Sequence, residues 1–157
     1  MCASLVIKKL ETADSVISEA EWEMRVDLAA CYRLASHYDM DDLFATHISA
    51  RAPGAEEHFL LNPYGVHFSE ITASSLVKVD LNGNIVQNTE HVINPAGFVI
   101  HSAVHAARHD AKCVMHTHTV AGMAIATMEE GLQPWFQKAM RFYNGVAYHD
   151  FEGVADN

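Results

Sequence analysis

Cys113-Val114-Met115-His116-Thr117-His118-Thr119 is the stretch on which the reading of this chain turns. It begins apolar and β-prone, and its C-terminal end carries a His-x-His pair. Side chains alternate along a strand, so His116 and His118 project to one side while Cys113, Met115 and Thr117 project to the other. Two residues on a strand span roughly 6.6 Å between Cα atoms, close enough for two imidazoles to converge on one ion. Neutral imidazole is a common ligand for zinc and similar divalent metals. An isolated His-x-His favours a plainer reading, two histidines that cap a buried strand. The rest of the chain decides between the two.

The chain has 157 residues, enough for one domain with a real core. Half of them are hydrophobic and 19% are charged, the composition of a globular chain rather than a disordered one. Ten Lys and Arg against twenty Asp and Glu give a net charge of −10, which argues against non-specific nucleic-acid binding. No run of apolar residues is long enough for a membrane span, and Met1-Cys2-Ala3-Ser4-Leu5 lacks the basic start of a signal peptide. Cys2, Cys31 and Cys113 are odd in number and lack metal-type spacing, so they read as free thiols in a reducing, cytoplasmic setting. Eleven histidines are the first compositional hint of metal or proton chemistry.

Working outward, residues 1–17 read as a lead-in and residues 18–157 as the domain. Ser18 with Glu21 predicts a capping box that opens an amphipathic helix over 19–37. Trp22 and Leu28 in it read as core or interface positions. Asp39-Met40-Asp41-Asp42 reads as a solvated acidic turn, without EF-hand spacing. Phe44 to Arg51 alternates as a strand, 53–57 is a hairpin-type loop, and His58 to Leu61 is a second strand paired with the first. Asn62-Pro63-Tyr64-Gly65 is a tight turn. A strand follows at 76–80, and Asn82-Gly83 signals a hairpin returning through Ile85-Val86.

Asn94-Pro95-Ala96-Gly97 opens a second helix over roughly 98–108, with His101, His105 and His109 on one face. No His-Glu-x-x-His signature occurs there, so these three are placed where the helix meets the site strand or solvent. After the His pair, 119–128 reads as a buried helix closed by Glu129-Glu130-Gly131. Residues 145–151 read as a further strand, and 133–142 gives no clear pattern. Helices alternating irregularly with antiparallel strands predict an α/β fold, a sheet with helices on both faces.

Taken together, His47-Ile48-Ser49-Ala50-Arg51, Asn62-Pro63-Tyr64-Gly65, Ile71-Thr72-Ala73-Ser74-Ser75-Leu76, Asn94-Pro95-Ala96-Gly97-Phe98 with His101-Ser102-Ala103, His116-Thr117-His118-Thr119 and Val146-Ala147-Tyr148-His149-Asp150 occur in the order found in the class II aldolase/adducin family. The chain resembles that family over nearly its whole length, with the adducin-head-like branch closest in flavour. The resemblance implies a three-layer α/β/α domain around a mostly antiparallel sheet, usually a tetramer. It implies a metal, Zn2+ first and Fe2+ or Mn2+ next, held by His116 and His118 with a third, later histidine. The metal polarises a substrate carbonyl and stabilises an enediolate. His47, Ser49, Tyr64 and Gly65 match positions that grip the substrate phosphate.

The pattern departs from the family in two places. Gly97 stands where aldolases carry a proton-transferring glutamate, at the edge of the substrate site, and His47 replaces an asparagine. The family domain is also longer than 157 residues, so the third histidine lies beyond Asn157 and the chain reads as part of a larger protein. His101, one turn into the second helix, is the candidate replacement acid/base. The expected function is a metal-dependent lyase acting on a small hydroxy-carbonyl or sugar-phosphate-like substrate. The alternatives are a non-catalytic, adducin-head-like oligomerisation or binding domain and a non-haem-iron oxygenase or decarboxylase. The expected partners are a small-molecule substrate and further copies of the chain, with no nucleic acid and no membrane.

Overall fold

The structure is a computed structural model that describes residues 17–54, 57–150 and 153. The expected lead-in falls outside these apart from its last residue, as do Ala55 and Glu56 of the first loop and Phe151 at the end of the last expected strand.

Helix α1 spans Glu19–His37, as its sequence predicts. Ser18 Oγ accepts from the Glu21 N–H at 3.2 Å, satisfying one of the donors a helix start leaves open. The Glu21 carboxylate turns inward, where Arg25 and Lys78 each approach it at 2.8 Å. Arg25 also donates to the Leu76 carbonyl at 2.8 Å and to Gln87 Oε1 at 2.6 Å. A buried charge persists only when paired and hydrogen-bonded, and this cluster ties α1 to the segment entering strand β3 (Val77–Asp80). Leu28 lies in the core, whereas Trp22 is 45% exposed.

Strands β1 (His47–Arg51), β2 (His58–Leu61), β3 and β4 (Cys113–His116) form one sheet in the order β3-β2-β1-β4, every pairing antiparallel. Helix α2 (Pro95–Ala107) connects β3 on one edge to β4 on the other. Alternation along β1 separates the two faces. Ile48 and Ala50 join Leu28, Tyr32, Leu60, Phe68 and Leu76 in the core under α1. His47 and Ser49 face α2, whose Phe98 packs with Phe59, Leu61, Val77 and Val79 in a second core. The expected α/β/α layering is therefore present, with α1 and α2 on opposite faces.

Several element boundaries differ from the sequence reading. The first strand begins at His47 rather than Phe44, because Asp42 to Ala45 forms a turn (Ala45 N–H to the Asp42 carbonyl, 2.8 Å) with Leu43 left-handed at φ 47°. The return through Ile85-Val86 is a single bridge to β3. There the Gln87 side chain takes the place of a strand, accepting from the Lys78 N–H and donating to the Leu76 carbonyl, both at 3.0 Å. Helix α2 starts earlier than expected, since Asn94 caps it and Pro95 suits the first turn.

The helix after the His pair, α3, covers Val120–Ala126 and is not buried. Val120 is 83% exposed, and the described residues supply no layer to cover it. Apolarity signals a face that wants a partner, not that one is present in this chain. No strand forms among the described residues of 145–151, and the backbone there is irregular.

Tyr32, fully buried, is the main polar link between α1 and the sheet. Its hydroxyl accepts from the Ile48 N–H at 2.9 Å and the Asn62 N–H at 3.1 Å, and lies against the Ile48 carbonyl and Asn62 Oδ1. Tyr32→Phe leaves these buried backbone donors without an acceptor. It is expected to cost about 1–3 kcal/mol, read as a lowered urea midpoint with an unchanged slope.

Candidate metal centre

His116 ends β4 directly opposite His47 of β1. His118 lies just beyond the strand, and its backbone N–H donates to the Met40 carbonyl at 3.2 Å. The side chains of the pair converge, with the two Nε2 atoms 3.1 Å apart. Two nitrogen ligands at about 2.05 Å from a tetrahedral zinc stand roughly 3.3 Å apart, so the pair fits one such ion. Among the described residues, no group of three His, Cys, Asp or Glu side chains could hold a metal; the pair offers two ligands.

Each ring of the pair is braced on its other nitrogen. His118 Nδ1 lies 2.9 Å from Asp42 Oδ2, the carboxylate–imidazole arrangement that orients metal-binding histidines. His116 Nδ1 lies 3.2 Å from His47 Nε2. Burial, followed by the neighbouring His118, holds the His116 ring below the usual imidazole value, which keeps it neutral as a ligand requires. The acidic turn read as merely solvated therefore contributes Asp42 to the site. Its spacing carries no signal, because Asp42 and His118 meet only through the fold. Left-handed backbone at Asp39 and Leu43 brackets the segment that delivers it.

Behind His116 the contacts continue inward. His47 Nδ1 meets His101 Nε2 at 2.8 Å, His101 Nδ1 meets Ser49 Oγ at 2.6 Å, and Ser49 Oγ meets His105 Nε2 at 2.8 Å. His47 is 3% exposed, and Ser49, His101 and His105 are fully buried. Burial, then the charges of His116 and His118, pushes the His47 ring down to about 4. Burial, then His47 and His105, pushes His101 to about 3. Burial, then the Arg51 guanidinium, pushes His105 to about 4, with the Ala111 backbone opposing. All three rings are neutral near pH 7.

These positions bear on the sequence-predicted site. His101 has both ring nitrogens engaged and no exposed surface, so it does not fit the expected part of an acid/base group touching substrate. His47 and Ser49 are likewise buried, with His101, His105 and His116 as their side-chain partners. His109 lies past the end of α2, exposed and 3.0 Å from Glu57. Tyr64, 46% exposed, packs edge-on to Phe44 at 5.9 Å between ring centroids. Gly65 lines a cleft of about 130 Å³ with Leu43, Phe44, Val66 and His67. The turn that places Asp42 on His118 thus also forms one wall of this cleft.

Gly97 is buried in the first turn of α2 under the His47 ring. A Cβ on Gly97 would lie 2.7 Å from His47 Cδ2 and 3.1 Å from its Nε2, closer than side chains pack. The imidazole of His47 fills the space that any side chain at position 97 would enter, which couples the two positions singled out in the sequence. Gly97→Glu alone is expected to cost about 1–3 kcal/mol through overpacking, and His47→Asn/Gly97→Glu to recover most of it. Thermal melting of these two variants beside the parent protein checks this coupling.

The buried rings also set a pH dependence. In the unfolded chain His101 and His105 take up protons as pH falls below 6.5, while the folded rings stay neutral down to about 3 and about 4. The unfolded state binds more protons in that window, so stability is full above 6.5 and declines as pH falls toward 4. The urea midpoint of chelator-treated protein should be lower at about pH 5 than at about pH 7; equal midpoints would contradict it.

A sequence model described as the class II aldolase and adducin N-terminal domain matches residues 26–157. A Caulobacter vibrioides protein provisionally assigned to aldolase class 2 is 60% identical over 90% of this chain, and the match covers 55% of that protein. Mouse alpha-adducin is 46% identical over 94% of the chain, covering 20% of its own length. The crystal structure of an aldolase II superfamily protein from Pseudomonas syringae superposes with a TM-score of 0.86 at 54% identity, over 88% of this chain and 56% of that one. L-fuculose 1-phosphate aldolase from Glaciozyma antarctica gives a TM-score of 0.76 at 28% identity, over 86% and 55%. The chain spans about half the length of these bacterial and aldolase relatives.

Proposed function

The chain belongs to the class II aldolase and adducin N-terminal family, and on that premise we propose that it carries the metal-holding part of an aldolase-type lyase. The proposed substrate is a small hydroxy-carbonyl compound of the sugar-phosphate kind. The observation that carries this reading is the convergence of His116 and His118 Nε2 at 3.1 Å, with Asp42 and His47 bracing the rings from behind. His116 and His118 would hold the metal, Zn2+ in the first instance and Fe2+ or Mn2+ as alternatives. When bound, it supplies Lewis-acid polarisation of a substrate carbonyl.

The chain's own residues have separable parts in this reading. Asp42 orients His118, and His47 orients His116. Tyr64 and Gly65 remain the substrate-binding positions, at the cleft beside the turn that carries Asp42. The relatives' names support the substrate class, L-fuculose 1-phosphate being the substrate named for one of them. The protein is proposed to work in the cytoplasm as a homo-oligomer, a tetramer by family likeness. No helix among the described residues is long and apolar enough to cross a membrane.

A second reading, a non-catalytic binding or oligomerisation module of the adducin-head kind, is favoured by one observation. Gly97 offers no carboxylate, and His47 leaves no room for one. Elemental analysis of the purified full-length protein beside His116→Ala/His118→Ala separates the two. Near-stoichiometric zinc that is lost in the double variant, together with retro-aldol turnover of small sugar phosphates, is the expected result. No metal in either protein after reconstitution would leave the binding module. Bound iron with oxygen consumption would point to an oxygenase instead.

A further inference from the structure

The contacts behind His116 form one unbroken series: His116 Nδ1 to His47 Nε2, His47 Nδ1 to His101 Nε2, His101 Nδ1 to Ser49 Oγ, and Ser49 Oγ to His105 Nε2. A neutral imidazole carries one N–H and one lone pair, and a hydroxyl has one proton to give. With every ring neutral, each contact holds one proton; Ser49 Oγ could accept from both neighbours only by leaving its own buried proton without an acceptor, so the donors point the same way. Two arrangements satisfy the series in full. In one, each histidine is protonated at Nδ1 and donates inward, and Ser49 donates to His105. In the other, each is protonated at Nε2 and donates outward, and His116 presses an N–H toward His118 Nε2.

A metal at the outer end requires the first arrangement, and the inner end accommodates it. At the outer end, Asp42 accepts from His118 Nδ1–H and so leaves the His118 Nε2 lone pair facing His116 Nε2. Without a cation an Nε2 proton on His116 would bridge this 3.1 Å gap; a metal held by both Nε2 lone pairs requires His116 to carry its proton on Nδ1 instead. At the inner end the Ala111 backbone favours a proton on the His105 ring; with Nε2 accepting from Ser49, that proton sits on Nδ1, which has no hydrogen-bond partner of its own among the described residues.

We propose that Ser49, His101 and His47 are positioning residues, a one-way donor series running from His116 to His105 that fixes the Nδ1–H tautomer of His116 and keeps its Nε2 free for a metal. The inference rests on the metal-centre reading above and deepens it. It gives the buried polar lining of β1 and α2 a task at a distance: Ser49 touches neither His116 nor His118, yet removing its hydroxyl interrupts the series. Nothing in this role asks His101 to meet substrate, which agrees with its complete burial.

The test is nitrogen-15 NMR of the imidazoles in zinc-treated full-length protein, joined to zinc affinity by chelator competition. Expected are Nδ1–H tautomers at His116, His47, His101 and His105. Zinc binding about 10-fold weaker in Ser49→Ala, recovered in Ser49→Thr, is expected, with a lowered metal-free melting temperature in Ser49→Ala from the two buried nitrogens left unpaired. An Nε2–H tautomer at His47 or His101 in the zinc-bound protein overturns the proposal. So does wild-type zinc affinity in a folded Ser49→Ala. Absence of zinc binding by the wild type would instead defeat the metal-centre reading, with the tautomers still reporting on the series itself.

Discussion

Strand β1 turns polar side chains into a space sealed from water, and much of the structure follows from the need to satisfy them. His47 and Ser49 stand two residues apart, about 6.6 Å along a strand. His101 and His105 stand four apart on α2, about 6.0 Å along a helix. The near-equality of these repeats lets one polar pair meet the other link by link, with contacts of 2.6 to 2.8 Å. A buried polar group left without a partner costs about 1–3 kcal/mol, so α2 is held to this register. The crossover from β3 to β4 is held with it, and β4 then delivers His116 opposite His47.

The same strand carries an ordinary hydrophobic face on its other side. Ile48 and Ala50 pack under α1, where Tyr32 meets the backbone polar groups at Ile48 and Asn62 with one hydroxyl. One layer is therefore held by apolar burial with a buried phenol and the Glu21–Arg25–Lys78 cluster, and the other joins a stacked Phe59–Phe98 pair to a series of imidazoles. This division explains how a domain with a sound core can keep so many histidines neutral: they are buried for packing reasons and paired with one another rather than with carboxylates.

The relation between His47 and Gly97 bears on how the family's chemistry has been altered. A glycine in the first turn of a helix lets another group approach the backbone, and here the approaching group is an imidazole that also braces a candidate metal ligand. The glycine at position 97 and the ring at position 47 are two sides of one packing solution. The site brings the Nε2 atoms of an imidazole pair together and has no carboxylate at position 97.

Local pattern determined a good part of this protein. The Ser18 cap and the helical spacing after it were enough for α1, the β-prone runs at 58–61 and 113–116 for two strands, and the His-x-His spacing for the convergence of His116 and His118, because each depends on neighbours within one turn or one pleat. The ordered set of motifs was enough for the family. Tertiary structure decided what depends on contacts distant in sequence. The Asp42–His118 contact joins residues that only the fold brings together. The inward turn of His47 and Ser49 depends on which face of β1 meets α2. The burial of His101 and the exposure of α3 depend on whether another layer covers them. A residue's chemistry and periodicity are written in the chain, but its solvent and its partners are set by the surfaces laid over it.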